Sequence, residues 1–155
     1  YIHDLVTGRP PEIDLELEKN IQSFLRQSIS KGLIKSAHDV SDGGLAITIS
    51  ECCISSDLGA SIDLPKSHSR IDRMLFSEGG SRILISISPE NLKNFNLILN
   101  EFINKNQFIN ALKIGSVIKD KNLIISKDKL KIVNLSISQL KYSYNNAIPQ
   151  RMKNN

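Results

Sequence analysis

Reactive side chains concentrate in one stretch, Ser36-Ala-His-Asp-Val-Ser-Asp-Gly-Gly-Leu-Ala46. An imidazole (His38), two carboxylates (Asp39, Asp42), a hydroxyl (Ser41) and the Gly43-Gly44 pair sit between an apolar segment and an apolar, helix-like run. Glycines where a helix begins let backbone N–H groups come close to a ligand, and the free donors and dipole of that end favour an anion. Carboxylates beside an anion would repel it unless a cation intervenes. The natural occupant is therefore a metal–phosphate ligand, with Asp39 and Asp42 as Mg²⁺ ligands. The same residues support a plainer reading: Ser41 or Asp42 caps a helix, the carboxylates form turns, and the glycines allow tight packing or shape an interface. His38 either acts as a base or hydrogen-bonds at a strand end or domain interface. A short glycine motif does not choose between them.

A second glycine turn follows at Ser77-Glu78-Gly79-Gly80, with Arg82 just beyond. An ion pair between Glu78 and Arg82 is expected, the alternative being that one of them reaches a ligand. Lys119, Lys121, Lys127, Lys129 and Lys131 read as a solvated hairpin, and His3 and His68 as surface residues. Cys52 and Cys53 are adjacent, so a disulfide between them would be strained; they read as reduced core residues of a cytoplasmic protein. No Cys/His spacing resembles a zinc site.

The elements that must position these groups follow from periodicity. Gly8-Arg9-Pro10-Pro11 marks residues 1–12 as a linker or entry segment. Asp14 then caps an amphipathic helix with Leu17, Ile21, Leu25 and Ile29 on one face, widened by Phe24 and ended by Gly32. Leu33 to Val40 predicts a strand running into the first glycine motif, and Leu45 to Ile54 a buried helix leaving it. Leu58 to Leu64 alternates as a half-buried strand. Pro65 to Arg70 is a loop, Ile71 to Phe76 one or two helical turns, and Arg82 to Ser88 a strand. Pro89 opens a helix with Leu92, Phe95, Leu99 and Phe102 on one face. Phe108 to Ile118 is extended and broken at Gly115. Leu123–Ile125 and Leu130–Val133 make a hairpin around Lys127-Asp128. Ser138 caps a last helix to about Asn146, and a polar, frayed tail spans 149–155.

This order predicts an α/β (α+β) domain over residues 13–148, one mixed sheet with packed helices. The chain has 155 residues, 40% hydrophobic and 23% charged, which suits a single globular domain with a core. It begins at Tyr1 rather than Met and is expected to be a piece of something longer. No apolar run nears the roughly 20 residues that span a bilayer, and no membrane partner is expected. A net charge of +4 with only 5% aromatics and no Trp does not make a stacking surface for nucleic acid, so none is expected.

Taken together, His38-Asp-Val-Ser-Asp-Gly-Gly-Leu-Ala46 and Phe76-Ser-Glu-Gly-Gly-Ser-Arg-Ile-Leu-Ile85 resemble the two signatures of C-terminal domains in the aminoimidazole-ribotide-synthase superfamily. The ends, Thr7-Gly-Arg-Pro-Pro-Glu-Ile-Asp-Leu15 and Leu135-Ser-Ile-Ser-Gln-Leu-Lys-Tyr142, are similar to the superfamily's amidine-forming ligases of purine biosynthesis. The resemblance implies an enzyme that uses ATP and Mg²⁺ to phosphorylate the amide oxygen of formylglycinamide ribonucleotide, then lets ammonia displace the phosphate. It also implies partners: the remaining domains of the same subunit, a glutaminase subunit and a small bridging subunit. In such enzymes the catalytic His and main ATP ligands lie in N-terminal-type domains, so no catalytic residue is expected in this chain, which is expected to be inactive alone. His38, Asp39, Ser41, Asp42, Gly43, Gly44, Ser77, Glu78, Gly79, Gly80 and Arg82 are expected to face nucleotide, phosphate or an interface. Where the substrate-binding half of the family commonly has Glu-Ser-Gln, this chain has Ser77-Glu78-Gly79-Gly80, which places it with the half whose nucleotide role is auxiliary or structural. Aminoimidazole ribotide synthase and a hydrogenase-maturation protein are the other superfamily members considered.

Overall fold

The computed structural model describes residues 12–105 and 109–153. The linker expected over 1–12, except Glu12, lies outside the described residues, as do His3 and Phe108. The element order is α1 (Leu15–Ser30), β1 (Ile34–Asp39), α2 (Gly44–Ser56), β2 (Gly59–Asp63), α3 (Ile71–Phe76), β3 (Ile83–Ile87), a 3₁₀ turn (Pro89–Asn91), α4 (Leu92–Asn104), β4 (Gly115–Ile118), β5 (Asn122–Lys127), β6 (Leu130–Ser136) and α5 (Ile137–Lys153). The class is α/β, as expected.

The strands divide between two sheets rather than forming one. β1 and β3 make an antiparallel ribbon, while β4-β2-β5-β6 form a mixed sheet in which only β2 and β5 run parallel. The pairing has a physical reason. Ala60 and Ile62 of β2, Leu64 just beyond it, and Leu123 and Ile125 of β5 form one buried apolar face, joined by Ala46, Ile49 and Cys53 of α2, Leu75 of α3 and Ile137 of α5. A second core joins Phe24 of α1 to Phe95, Ile98 and Phe102 of α4, with Ile34, Ile85 and Ile87 of the ribbon packed against it. Phe24 meets Phe95 and Phe102 edge-on, ring centroids 5.2 and 5.5 Å apart, which adds aromatic contact energy to burial. The ribbon thus lies between the cores, with Leu84 turned to the first.

Local chemistry set most boundaries. Asp14 accepts from Leu17 N at 2.9 Å and caps α1, and Gly32 leaves it with a left-handed φ of 66°. The buried line of α1 is Asn20, Phe24 and Ser28, with Leu17, Ile21 and Leu25 beside it, while Ile29 is exposed. On α4 the buried line is Phe95, Ile98 and Phe102; Leu92 is exposed.

At the other end, α5 is capped by Ser136, not Ser138. Ser136 Oγ accepts from Gln139 N (3.2 Å) while Gln139 Oε1 accepts from Ser136 N (2.9 Å), a reciprocal capping box. The helix runs through Pro149 to Lys153, past the expected end near Asn146. The hairpin turn is Asp128-Lys129, one residue later than expected, both left-handed at φ 49° and 69°.

Candidate functional site

The ribbon brings the two glycine turns together. Asp39, the last residue of β1, pairs with Ile83, the first of β3, and Val40 N donates to Arg82 O at 2.9 Å. The chain therefore leaves β1 into Ser41–Gly44 beside the place where Ser77–Arg82 enters β3. Both turns end on the same corner, at the N-terminus of α2.

At that corner the α2 N-cap is Gly43, left-handed at φ 76°, with no local side chain capping it; this corrects the expectation of a Ser41 or Asp42 cap. The cap comes from 35 residues away: Gly43 N donates to Glu78 Oε1 at 2.9 Å. A carboxylate at a helix N-terminus meets both the orphan donors and the dipole. Gly44, at φ 69°, is buried, and its N–H donates to Ser41 O at 3.0 Å. A Cβ at Gly44 would lie 2.8 Å from the Leu75 carbonyl oxygen, so the glycine is required for α3 to pack there.

The second turn is fastened on three sides. Glu78 holds Gly43, the Arg82 guanidinium donates to Ser77 O, and Ser81 Oγ donates to Glu18 Oε2 of α1 at 2.8 Å. The expected Glu78–Arg82 ion pair is absent among the described residues. Ser77 to Arg82 is extended or bent, which sends the two side chains to different partners, Gly43 N and Ser77 O. The left-handed residue in this turn is Ser81, at φ 62°; Gly79 and Gly80 have open space where a Cβ would stand.

His38 lies on β1, half-buried. Its Nδ1 donates to the Asp39 carbonyl at 2.7 Å, and its Nε2 stands 3.5 Å from Glu51 Oε2 of α2. Asp39, Ser41 and Asp42 are exposed at the lip of the corner. Glu18, Thr48, Glu51 and Ser81 were not anticipated from the sequence. Thr48 Oγ1 bonds Gly44 O (3.1 Å) and Asp39 O (3.3 Å), tying the helix to the strand end. The i+4 spacing of Thr48 from Gly44 was the available signal; the Glu18–Ser81 pair spans 63 residues and left none.

The Gly43 and Gly44 amides that would cradle a phosphate are engaged by Glu78 and Ser41, and Glu78 already supplies the negative charge. Among the described residues no group of three His, Cys, Asp or Glu could hold a metal, which leaves Asp39 and Asp42 as two outward carboxylates. Among the described residues, clefts lie elsewhere: one of about 620 Å³ lined by Ser67, His68, Ser69, Arg70 and Arg73, and another of about 310 Å³ beside the Asp128-Lys129 turn.

The profile of the family "AIR synthase related protein, C-terminal domain" matches residues 2–128, both glycine turns included. The chain belongs to this family. Phosphoribosylformylglycinamidine synthase subunit PurL of Prochlorococcus marinus strain MIT 9303 is 48% identical over 154 residues, 97% of the chain; that of strain MED4 is 49% identical over 151 residues. The chain spans only 19% of the length of these relatives. Among solved structures, phosphoribosylformylglycinamidine synthase II of Thermotoga maritima superposes with TM-score 0.72 at 18% identity, over 84% of this chain and 22% of that one. The same Thermotoga protein complexed with ATP and with FGAR gives TM-score 0.67 in each case, and PurLQS 0.70. The hydrogenase maturation protein HypE, at TM-score 0.59 and 18% identity, shares the fold as well. The matched span takes in both turns, which lie far apart in sequence and which the ribbon packs against each other.

Proposed function

We propose that this chain is the C-terminal-type domain of an ATP-dependent ligase that turns formylglycinamide ribonucleotide and ammonia into formylglycinamidine ribonucleotide. The observation that carries this is the 48% identity over 97% of the chain to a phosphoribosylformylglycinamidine synthase subunit. The Thermotoga relatives solved with ATP and with FGAR support the same substrates. PurLQS supports partner subunits, read here as a glutaminase and a small bridging subunit. ATP, with Mg²⁺, would supply an activated phosphoryl group to the amide oxygen. That chemistry belongs to domains outside this chain, and the protein is read as cytoplasmic.

Within the enzyme, the residues of this chain act by holding shape. Glu78 clamps the N-terminus of α2 to the second turn, and Gly44 lets α3 close on it. Thr48 ties α2 to the end of β1, and Ser81 ties the turn to α1. Asp39, Ser41, Asp42 and His38 present a polar lip to whatever packs on the corner. This structural reading is favoured over direct phosphate binding because the corner's amides already have partners.

The test is the parent full-length subunit given formylglycinamide ribonucleotide, ATP and ammonium. Amidine and ADP should form in equal amounts, while the isolated 155 residues should form none. A full-length protein that hydrolyses no ATP and forms no amidine would refute the assignment.

A further inference from the structure

The apolar face of α5 continues beyond the domain it packs on. Ile137 is 2% exposed, and Leu140 packs against the same core. At 100° per residue, Ile137, Leu140, Tyr144, Ile148 and Met152 share one face within an arc of about 120°, which the long side chains of Lys141 and Arg151 also enter. Yet Tyr144, Ile148 and Met152 are 62%, 71% and 75% exposed. Among the described residues the stripe therefore runs unpartnered for the second half of the helix, about 15 Å at 1.5 Å per residue. Helices of this length are held mainly by tertiary packing, and Pro149 withholds the N–H that would bond the Asn145 carbonyl. An exposed stripe on a proline-bearing helix needs a surface to lie on.

What covers it follows from charge and length. From Lys129 to Asn155 the sequence has Lys129, Lys131, Lys141, Arg151 and Lys153 and no Asp or Glu; Lys141 is held by Asp57, which leaves Arg151 and Lys153 beside the exposed half of the helix. A second copy would bring one basic rim against another, which repulsion disfavours. The family profile stops at residue 128, before β6 and α5, whereas the relatives match 97% of the chain and carry about four-fifths of their length outside it. We propose that the second half of α5 docks through Tyr144, Ile148 and Met152 into an acid-rimmed apolar groove on another part of the same polypeptide. This rests on the reading above that the chain is one domain of a longer subunit.

The test uses the full-length subunit, with no substitution in the first arm. Hydrogen exchange of the wild-type protein should show the amides of residues 144–153 protected; exchange at the rate of an unstructured peptide would overturn the proposal. In the second arm, Ile148→Cys and, as an exposed reference, Leu130→Cys are pulsed with a maleimide and read by peptide mass spectrometry. Cys at 148 should label at least about tenfold more slowly than Cys at 130. Equal rates would contradict the docking, as would protection that vanishes on dilution, pointing to a second copy, or that arises only with anionic lipid vesicles. Exposure of α5 in a subunit that still forms amidine would sink the docking alone. An intact mass showing no chain beyond these residues would instead remove the reading on which it rests.

Discussion

Single side chains carry the corner. Gly44→Ala meets the Leu75 carbonyl at 2.8 Å and must also hold a left-handed φ, so it should destabilise the domain by more than about 2 kcal/mol in denaturant unfolding. Gly79→Ala has open space and no positive φ, so the same measurement should show no change. Ser28 is the opposite kind of residue: its Oγ is fully buried on α1 without a partner. Ser28→Ala should stabilise the fold by about 1 kcal/mol, since it removes an unsatisfied polar group. Asp57 is held by Lys121 and Lys141, whose hydrogen bonds pull its pKa from 3.8 down to about 2. A depressed carboxylate stabilises above its unfolded pKa and loses that contribution as pH falls through the folded one. The thermal midpoint of Asp57→Asn should therefore lie below wild type at pH 5, and the gap should close between pH 3.8 and about 2. A gap that stays constant over that range would contradict the ion pairs.

Elements carry what the sequence showed and what it hid. The Asp14 cap, the Gly32 stop and the alternation of β2 were legible because each is local: a side chain three residues from its partner, a left-handed glycine, a period of two. The Ser136 cap was missed because Ser136 and Ser138 are equally good candidates until the helix axis is known; the Gln139 partner decides it. The buried line of α1 was shifted because its centre holds Asn20 and Ser28, which hydropathy reads as solvent-facing. Division of the strands into two sheets depends on contacts tens of residues apart, and no local pattern encodes them. The same holds for the site. Its glycines and carboxylates were readable as motifs, but Glu78 reaching Gly43 across 35 residues was not, and that bond changes the meaning of the motif. The β5–β6 turn yields a prediction at this scale. Asp128 and Lys129 both adopt φ values that favour Asn-Gly, so Asp128→Asn with Lys129→Gly should raise the unfolding free energy by about 1 kcal/mol. Loss of stability would show that Lys129 contributes more through its side chain than its backbone conformation costs.

For the whole molecule, two cores meet at a ribbon, and the ribbon delivers both glycine turns to one corner. The corner closes on itself through Glu78, with the Gly43 and Gly44 amides engaged inside and a polar lip outside. The chain is thus read as a folded support for chemistry performed by neighbouring domains, with α5 offering a further surface to them. The most direct measurement is ammonia-dependent turnover and thermal unfolding of the full-length subunit carrying Glu78→Ala. Losing the cap should lower the domain's unfolding free energy by about 1 kcal/mol, while kcat stays within about twofold of wild type. A fall in kcat of about tenfold or more with unfolding unchanged would mean that Glu78 serves the reaction directly, and the structural account of the corner would be wrong.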